Sequence, residues 1–166
     1  AGYAAPFTPT ETNMQTSWLL GGATAWSRNI IDIRPHPINF STRWAVCEDL
    51  IYSYPLAREY RLMVAADANA YHNETYGEMS FRQGMFYGVS GAIMRYHFVR
   101  QNPDLKTWAY MWMTIGVILG NFGKGLSGSP RHLGLCLGGT VGLMRTIACS
   151  LINGDSARLA KALNKR

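Results

Sequence analysis

Histidine, cysteine and acidic side chains are the residues of this chain that could bind a metal or transfer protons. The four histidines show neither the HExxH spacing nor the His/Cys spacing of a metal site. They are His36, His72, His97 and His132. The sequence also lacks the frames of a serine-hydrolase elbow, a Walker A loop and a dinucleotide-binding loop. It therefore predicts a protein without catalytic residues, metal or cofactor of its own.

Two arginines inside apolar segments are the next residues whose chemistry needs an explanation, and they are Arg95 and Arg145. A charge at the centre of a membrane helix costs about 2.5–3.5 kcal/mol on insertion scales and usually faces protein or a water-filled cavity. Almost no carboxylate lies nearby in the sequence. Both arginines therefore predict contact with another subunit or with an anionic phospholipid such as cardiolipin. For Arg145 the alternative is that the side chain extends to the nearer membrane surface.

Glycines four residues apart recur in three apolar segments of the C-terminal half. Four residues make roughly one helical turn, so each set lies on one face of a helix. In water each helical glycine costs roughly 0.5–1 kcal/mol relative to alanine. In lipid, small residues let helix backbones approach closely. The predicted helix-packing residues are Gly84, Gly88, Gly116, Gly120, Gly134, Gly138 and Gly142.

The charged residues are few and unevenly distributed. They make up 16% of the chain, against about 25% in ordinary soluble domains. No acidic residue lies between Asp104 and Asp155, and all other acidic residues precede Arg82. The net charge of +6 comes without a basic run or interleaved aromatic residues, so nucleic-acid binding is not predicted. Attraction to anionic lipid headgroups explains the positive charge better.

These patterns predict an all-α membrane protein, a bundle of four transmembrane helices with glycine-rich packing faces and a polar helical insertion. The first segment is the weakest; it contains Arg28 and Asp32 at i,i+4 spacing, and an interfacial helix is its alternative interpretation. The predicted divisions are an extended tail (1–13), a first transmembrane segment (14–37), a polar amphipathic insertion (38–80), three transmembrane helices (83–99, 107–123 and 132–153, within 81–153) and a basic tail (154–166).

Within the insertion, apolar residues at 44–54 predict one helix and those at 60–64 a second, on either side of Pro55. Residues 67–78 predict a loop. Aromatic residues near one end of the third transmembrane helix predict an interfacial belt. They are Trp108, Tyr110 and Trp112.

A constellation across two of the predicted helices resembles a family signature. Its members are Gly84 and Tyr87, then Arg100 and Asp104, then Gly116 and Gly120. The order is similar to the signature of the Tim17/Tim22/Tim23 preprotein-transporter family, which reads G/A-xx-F/Y, R-xxx-D and small-Gly-xxx-Gly. The chain departs from this pattern because twelve residues separate the aromatic residue from the arginine, and because Ile115 precedes the later glycines.

The resemblance implies a multi-pass protein of the mitochondrial inner membrane. Residues 21–37 and 99–104 are most similar to the Tim17-like accessory subunits of respiratory complex I, which would make 38–80 an insertion. It implies a non-catalytic structural subunit that supports assembly and stability of the membrane arm. Its partners would be other subunits of a large membrane complex and anionic phospholipid. A preprotein-translocase component of the same family and a soluble helical domain are the alternatives.

Overall fold

The structure, a computed structural model, describes residues 12–19, 24–35, 46–66 and 79–165. These residues form six α-helices, one terminal 3-10 helix and a two-stranded sheet. They belong to two compact units. The smaller unit contains the described residues of 12–35 and 47–66, and the larger unit contains Val46 and 79–165.

The smaller unit contains two short strands and two short helices. Strand β1 (Met14–Thr16) pairs antiparallel with β2 (Leu62–Val64). Between them in the sequence come α1 (Arg28–Ile33) and α2 (Glu48–Leu56). Side chains of α2 and β2 supply its buried apolar residues, which are Leu50, Ile51, Tyr52, Leu56 and Leu62.

Hydrogen bonds and a ring contact connect the segments around α1 to α2. The backbone N–H of Leu19 donates to the Ser53 hydroxyl at 2.9 Å. The rings of Trp26 and Tyr52 meet edge to face with centroids 5.0 Å apart. The Tyr52 hydroxyl donates to the Arg34 carbonyl at 2.8 Å, and burial raises the pKa of this phenol.

These contacts correct the predicted first transmembrane segment at 14–37. A membrane-spanning helix satisfies its own backbone groups, whereas this segment bonds to β2 and to a side chain of α2. In the described part of the segment the only helix is α1, whose six residues rise about 9 Å and cannot cross a hydrocarbon core of about 30 Å. The predicted ion pair is present, because Arg28 Nε lies 3.5 Å from Asp32 Oδ2.

The insertion also differs from its prediction. Residues 60–64 do not continue as a helix, because Leu62–Val64 pairs with β1 and turns alternate side chains inward and outward. Helix α2 includes Pro55 as its next-to-last residue, so the proline lies inside one helix and does not separate two. The predicted loop at 67–78 lies outside the described residues, as does nearly all of the tail at 1–13.

The larger unit consists of three long helices and two short ones. They are α3 (Phe81–Gln101), α4 (Thr107–Leu126), α5 (Pro130–Leu151) and α6 (Ser156–Lys161), followed by a 3-10 helix (Ala162–Lys165). The long helices begin and end within three residues of the predicted transmembrane helices. Helix α3 packs most extensively on α5, α4 packs mainly on α5, and α6 packs on α3.

Local sequence signals set the ends of these helices. Ser80 and Gln83 form a reciprocal capping box at the start of α3, with the Ser80 hydroxyl accepting from the Gln83 N–H and the Gln83 side chain accepting from the Ser80 N–H. At its end the buried Asn102 donates through Nδ2 to the Phe98 carbonyl at 2.7 Å. Pro130 opens α5, where its missing N–H would have had no helical partner.

One described helix, α5, is long and apolar enough to cross a membrane by length and composition. Only 33% of its most apolar stretch is buried. The described residues thus supply three long helices, one of which meets this criterion, and the predicted four-span bundle is not supported.

Candidate functional site

Five of the seven predicted packing glycines lie where α3 meets α5. They are Gly84, Gly88, Gly134, Gly138 and Gly142. A Cβ added at Gly88 would lie 2.6 Å from the Leu135 carbonyl oxygen. One added at Gly138 would collide with the carbonyl oxygen of Met85. Because backbone atoms cannot move aside like a flexible side chain, these positions accept only glycine without separation of the helices.

The contacts follow one another in register along the two helices. The facing pairs are Gly134 with Phe81, Gly138 with Met85, and Gly142 with Val89. The residue numbers rise together, so α3 and α5 are parallel, and each step of four residues is about one turn. The intervening helix α4 therefore returns the chain in the opposite direction.

Gly116 and Gly120 do not pack against a helix, which corrects their predicted role. Within the described residues, no neighbouring atom lies within 4 Å of a Cβ added at either position. Helix α4 instead turns Tyr110, Thr114 and Gly125 inward. Gly116 follows Thr114 by two residues, which is about 200° around the helix, and so faces the opposite side.

A buried tyrosine that the sequence did not reveal joins the three long helices. Tyr110 of α4 has no exposed surface, and its hydroxyl donates to the Ala92 carbonyl of α3 at 2.9 Å. The same hydroxyl lies 3.3 Å from Oγ1 of the buried Thr146 on α5. The Tyr110 ring also packs against that of Tyr96, with centroids 5.7 Å apart.

Tyr110 is therefore not part of the predicted aromatic belt. Its predicted neighbours in the belt, Trp108 and Trp112, are 62% and 68% exposed. Both lie two residues from Tyr110, about 200° around the helix, so the three cannot share a face. The two-residue spacing in the sequence is the signal that could have shown that Tyr110 lies on a different face from Trp108 and Trp112.

The residues of the predicted signature turn do not form one site. Tyr87 is half-buried on α3, thirteen residues before Arg100, which corresponds to about 20 Å along the helix. Arg100 and Asp104 are both exposed, and no ion pair joins these two residues in the part of the chain described. The buried Asn102 between them holds the turn, through its own bond to α3 and a backbone bond from Leu105 at 2.9 Å.

Tyr87 and Arg95 line one small cavity between α3, α4 and α5. Its volume is about 140 Å³, and Thr114 and Asn121 of α4 also line it. The half-buried Arg95 places Nη1 3.4 Å from the Cβ position of Gly91. This cavity has room for a few water molecules and several polar groups to bind them.

Arg145 lines a different and much larger cavity, between α3, α5 and α6. Its volume is about 1260 Å³, and Arg82 and Arg158 also line it. Asp155 is the one carboxylate on the described lining, and it already accepts the Ala157 N–H at 2.8 Å as the N-cap of α6. The structure therefore separates the two predicted contact arginines, Arg95 and Arg145.

The described histidines make contacts at helix ends. His97 is buried on α3, with Nδ1 3.1 Å from the Ser156 hydroxyl at the start of α6. His132 Nδ1 lies 2.6 Å from the Ser129 hydroxyl at the start of α5. In residues 12–19, 24–35, 46–66 and 79–165, no three His, Cys, Asp or Glu side chains are placed to bind a metal. His36 and His72 lie outside the described residues.

Comparisons with protein-family models, with curated proteins and with solved structures find no match to this chain. The resemblance to the Tim17/Tim22/Tim23 family therefore stays a prediction.

Proposed function

We propose that this chain is a non-catalytic structural accessory subunit of a mitochondrial inner-membrane respiratory complex, embedded through α3, α4 and α5. The family resemblance favours complex I, where the subunit would support assembly and stability of the membrane arm. The observation that carries the membrane location is the apolar outer surface of α4 and α5.

That outer surface extends along both helices. On α4 the exposed apolar side chains are Trp108, Trp112, Ile115, Val117, Leu119, Phe122 and Leu126. On α5 they are Leu133, Leu137, Val141, Met144, Ile147 and Leu151. Large exposed apolar patches mark contact with protein or membrane. A helix in the core of a soluble protein would instead bury most of such residues.

The α3/α5 interface supports the same proposal. Close approach of two backbones buries little apolar side chain, so it gains little from the hydrophobic effect in water. In lipid, where helices associate through packing and not through hydrophobic burial, glycine faces of this kind are favourable. The five interface glycines then have a stabilising role that outweighs their cost to helix propensity.

The smaller unit has a different part in the proposal. It contains polar hydrogen bonds and an exposed ion pair between Arg34 and Glu59 at 2.6 Å. These features suit contact with water or with a soluble face of a partner subunit. The proposal therefore replaces the four-span bundle with three embedded helices and a polar unit outside the lipid.

The translocase alternative has weaker support. Mitochondrial transit peptides are rich in arginine and poor in acidic residues, so a groove that receives them needs acidic groups. The large cavity carries three arginines and only one carboxylate on its described lining, and that carboxylate caps α6. Its charge would repel such a substrate.

The test is native gel separation of mitochondrial membranes solubilised in mild detergent, followed by mass spectrometry of the band that contains this chain. Migration with complex I subunits is the expected result. Migration with translocase subunits would select the alternative, and migration alone would contradict both. Extraction of the chain by alkaline carbonate without detergent would show that it is a soluble domain.

A further inference from the structure

The large cavity is bounded by one helical stripe on each of two parallel helices. On α3 the stripe consists of Arg82, Phe86, Val89 and Ile93, and on α5 of Val141, Arg145 and Ala148, continued by Ile152 at the C-cap. Both have the spacing 4, 3, 4, which keeps them on one face. Leu159 of α6 closes part of the remaining side. The walls are therefore long and mainly apolar, with arginines at defined points.

The volume leaves room for a ligand larger than a typical metabolite. The cavity measures about 1260 Å³, whereas small-molecule sites usually measure roughly 300–1,000 Å³. An apolar channel of this size along two helices suits hydrocarbon chains.

The charges around the cavity indicate an anion. No ion pair in the described part of the chain engages the guanidinium groups of Arg82, Arg145 or Arg158. After residue 78 the chain contains eleven Lys and Arg residues and two acidic ones. The charge of Asp155 offsets only one of the three arginines, so the described lining keeps an excess of positive charge next to apolar walls.

The arginines lie at different heights along the cavity. Arg145 lies six residues before the end of α5, about 9 Å along the helix, and Arg158 lies on α6, which packs on α3. Arg82 lies in the first turn of α3, with its guanidinium 5.8 Å from the centre of the Phe86 ring. Because Gly142 faces Val89, Arg145 lies further along the parallel helices than Arg82.

We infer that this cavity binds one anionic phospholipid of the surrounding membrane, a deepening that rests on the proposed membrane location. Its phosphate contacts Arg145 and Arg158, and its acyl chains lie along the stripes of α3 and α5. Free phosphate would leave the apolar walls in contact with water, and a zwitterionic lipid would bring a cationic group next to the arginines. An anionic phospholipid provides acyl chains for the apolar walls and a negatively charged headgroup for the arginines.

The test measures lipid retention by the full chain, purified in neutral detergent, using native mass spectrometry. The probes are phosphatidylglycerol and phosphatidylcholine with identical acyl chains. We expect one tightly held phosphatidylglycerol, with affinity about tenfold or more above that of phosphatidylcholine, because both lipids offer a phosphate to the arginines but the arginines repel the cationic choline group of phosphatidylcholine. Equal affinity for the two lipids would overturn the inference.

Two pairs of variants locate the site. The double variant Arg145→Gln with Arg158→Gln should lose most of the preference for phosphatidylglycerol. Arg131→Gln, an exposed charge on the same helix and not on the cavity lining, should retain it. Ala148→Trp should place a bulky ring where the acyl chains lie and weaken binding, whereas Ile147→Trp, one residue away and not on the lining, should leave binding intact. Equal binding by the members of either pair would overturn the assignment.

Competition with inorganic phosphate separates lipid from free anion. Displacement of phosphatidylglycerol by excess phosphate, together with insensitivity to Ala148→Trp, would identify a simple anion site and contradict the inference. Circular dichroism of each variant shows whether it remains folded, and the conservative pair Arg145→Lys with Arg158→Lys should keep part of the preference.

The result of the native gel separation is independent of the lipid-retention result. A chain that migrates with complex I but shows no lipid preference would refute the lipid site and support the proposed function. A chain that retains phosphatidylglycerol but migrates alone would refute the subunit assignment and support the lipid site.

Discussion

At the scale of single residues, the missing side chain of Gly138 helps to set the distance between α3 and α5. The space next to it is occupied by the Met85 backbone, which cannot rotate away. The same spacing in the sequence has no such consequence at Gly120, where no neighbouring atom is within 4 Å of the Cβ position in the described structure. The same glycine spacing is therefore required for close packing on α5 but not on α4.

Gly138→Ala should destabilise the helical unit. The added methyl group overpacks the interface, at about 1–3 kcal/mol, which exceeds the roughly 0.5–1 kcal/mol gained in helix propensity. Gly120→Ala is the matched control and should be neutral or stabilising. Thermal unfolding in detergent micelles, followed by circular dichroism, compares the two. Equal stability of both variants would contradict the close packing of α3 and α5.

The two tyrosines in contact at the centre of the unit should differ in energetic role. Tyr110→Phe removes a buried hydroxyl that bonds to α3, and should cost about 0.5–1.5 kcal/mol. The buried Tyr96 hydroxyl has no hydrogen-bond partner in the described residues, so Tyr96→Phe should be neutral or stabilising. The same unfolding measurement checks both. A larger loss for Tyr96→Phe would show that the roles are reversed.

At the scale of elements, the connection from α3 to α4 depends on Asn102. This residue is 1% exposed and satisfies the Phe98 carbonyl at the end of α3. The exposed residues of the predicted signature, Arg100 and Asp104, flank it without an ion pair between them. The buried amide of Asn102 therefore helps to organise the turn.

Asn102→Ala should destabilise the unit by about 1–3 kcal/mol, because a carbonyl at a buried helix end loses its partner. Gln101→Ala changes the exposed preceding residue and should have an effect within about 0.5 kcal/mol. Unfolding midpoints and the rate of proteolysis at the turn measure the difference. If proteolysis is unchanged in Asn102→Ala, the amide does not hold the turn.

At the scale of the whole molecule, the outer surface of α4 offers a test of whether this chain is a membrane protein or a soluble one. Leu119 is 63% exposed near the middle of this helix, while Leu126 is exposed at its end. In water, a charge at either position would be well solvated. In lipid, only the position near the helix end allows a long side chain to reach the headgroups.

Leu119→Lys should reduce stable membrane insertion, since lysine near the centre of a span costs about 2.5–3.5 kcal/mol. Leu126→Lys should insert nearly as well as the unchanged chain. The fraction resistant to carbonate extraction after import into mitochondria measures insertion. Equal resistance of both variants would indicate that α4 is not exposed to lipid at its middle.

Much of the helical unit could be predicted because its signals are local. Apolar runs, the capping box at Ser80 and the proline at 130 set three helices to within a few residues. The segment at 14–37 could not be predicted in this way. Its backbone bonds to β2 and to Ser53, which are distant in the sequence. Because the local sequence does not reveal these distant partners, the apolar residues of the segment look like a membrane-spanning helix.

The sequence by itself determined the three long helices, the glycine faces and the excess of positive charge, because periodicity, capping and composition act over a few neighbouring residues. Only the tertiary structure decided that α3 and α5 pack in parallel through five glycines while Gly116 and Gly120 face outward. It also buried Tyr110 between three helices and brought Arg145 and Arg158 onto the lining of one cavity. These outcomes depend on how helices rotate and pair, and residues far apart in the chain determine that pairing.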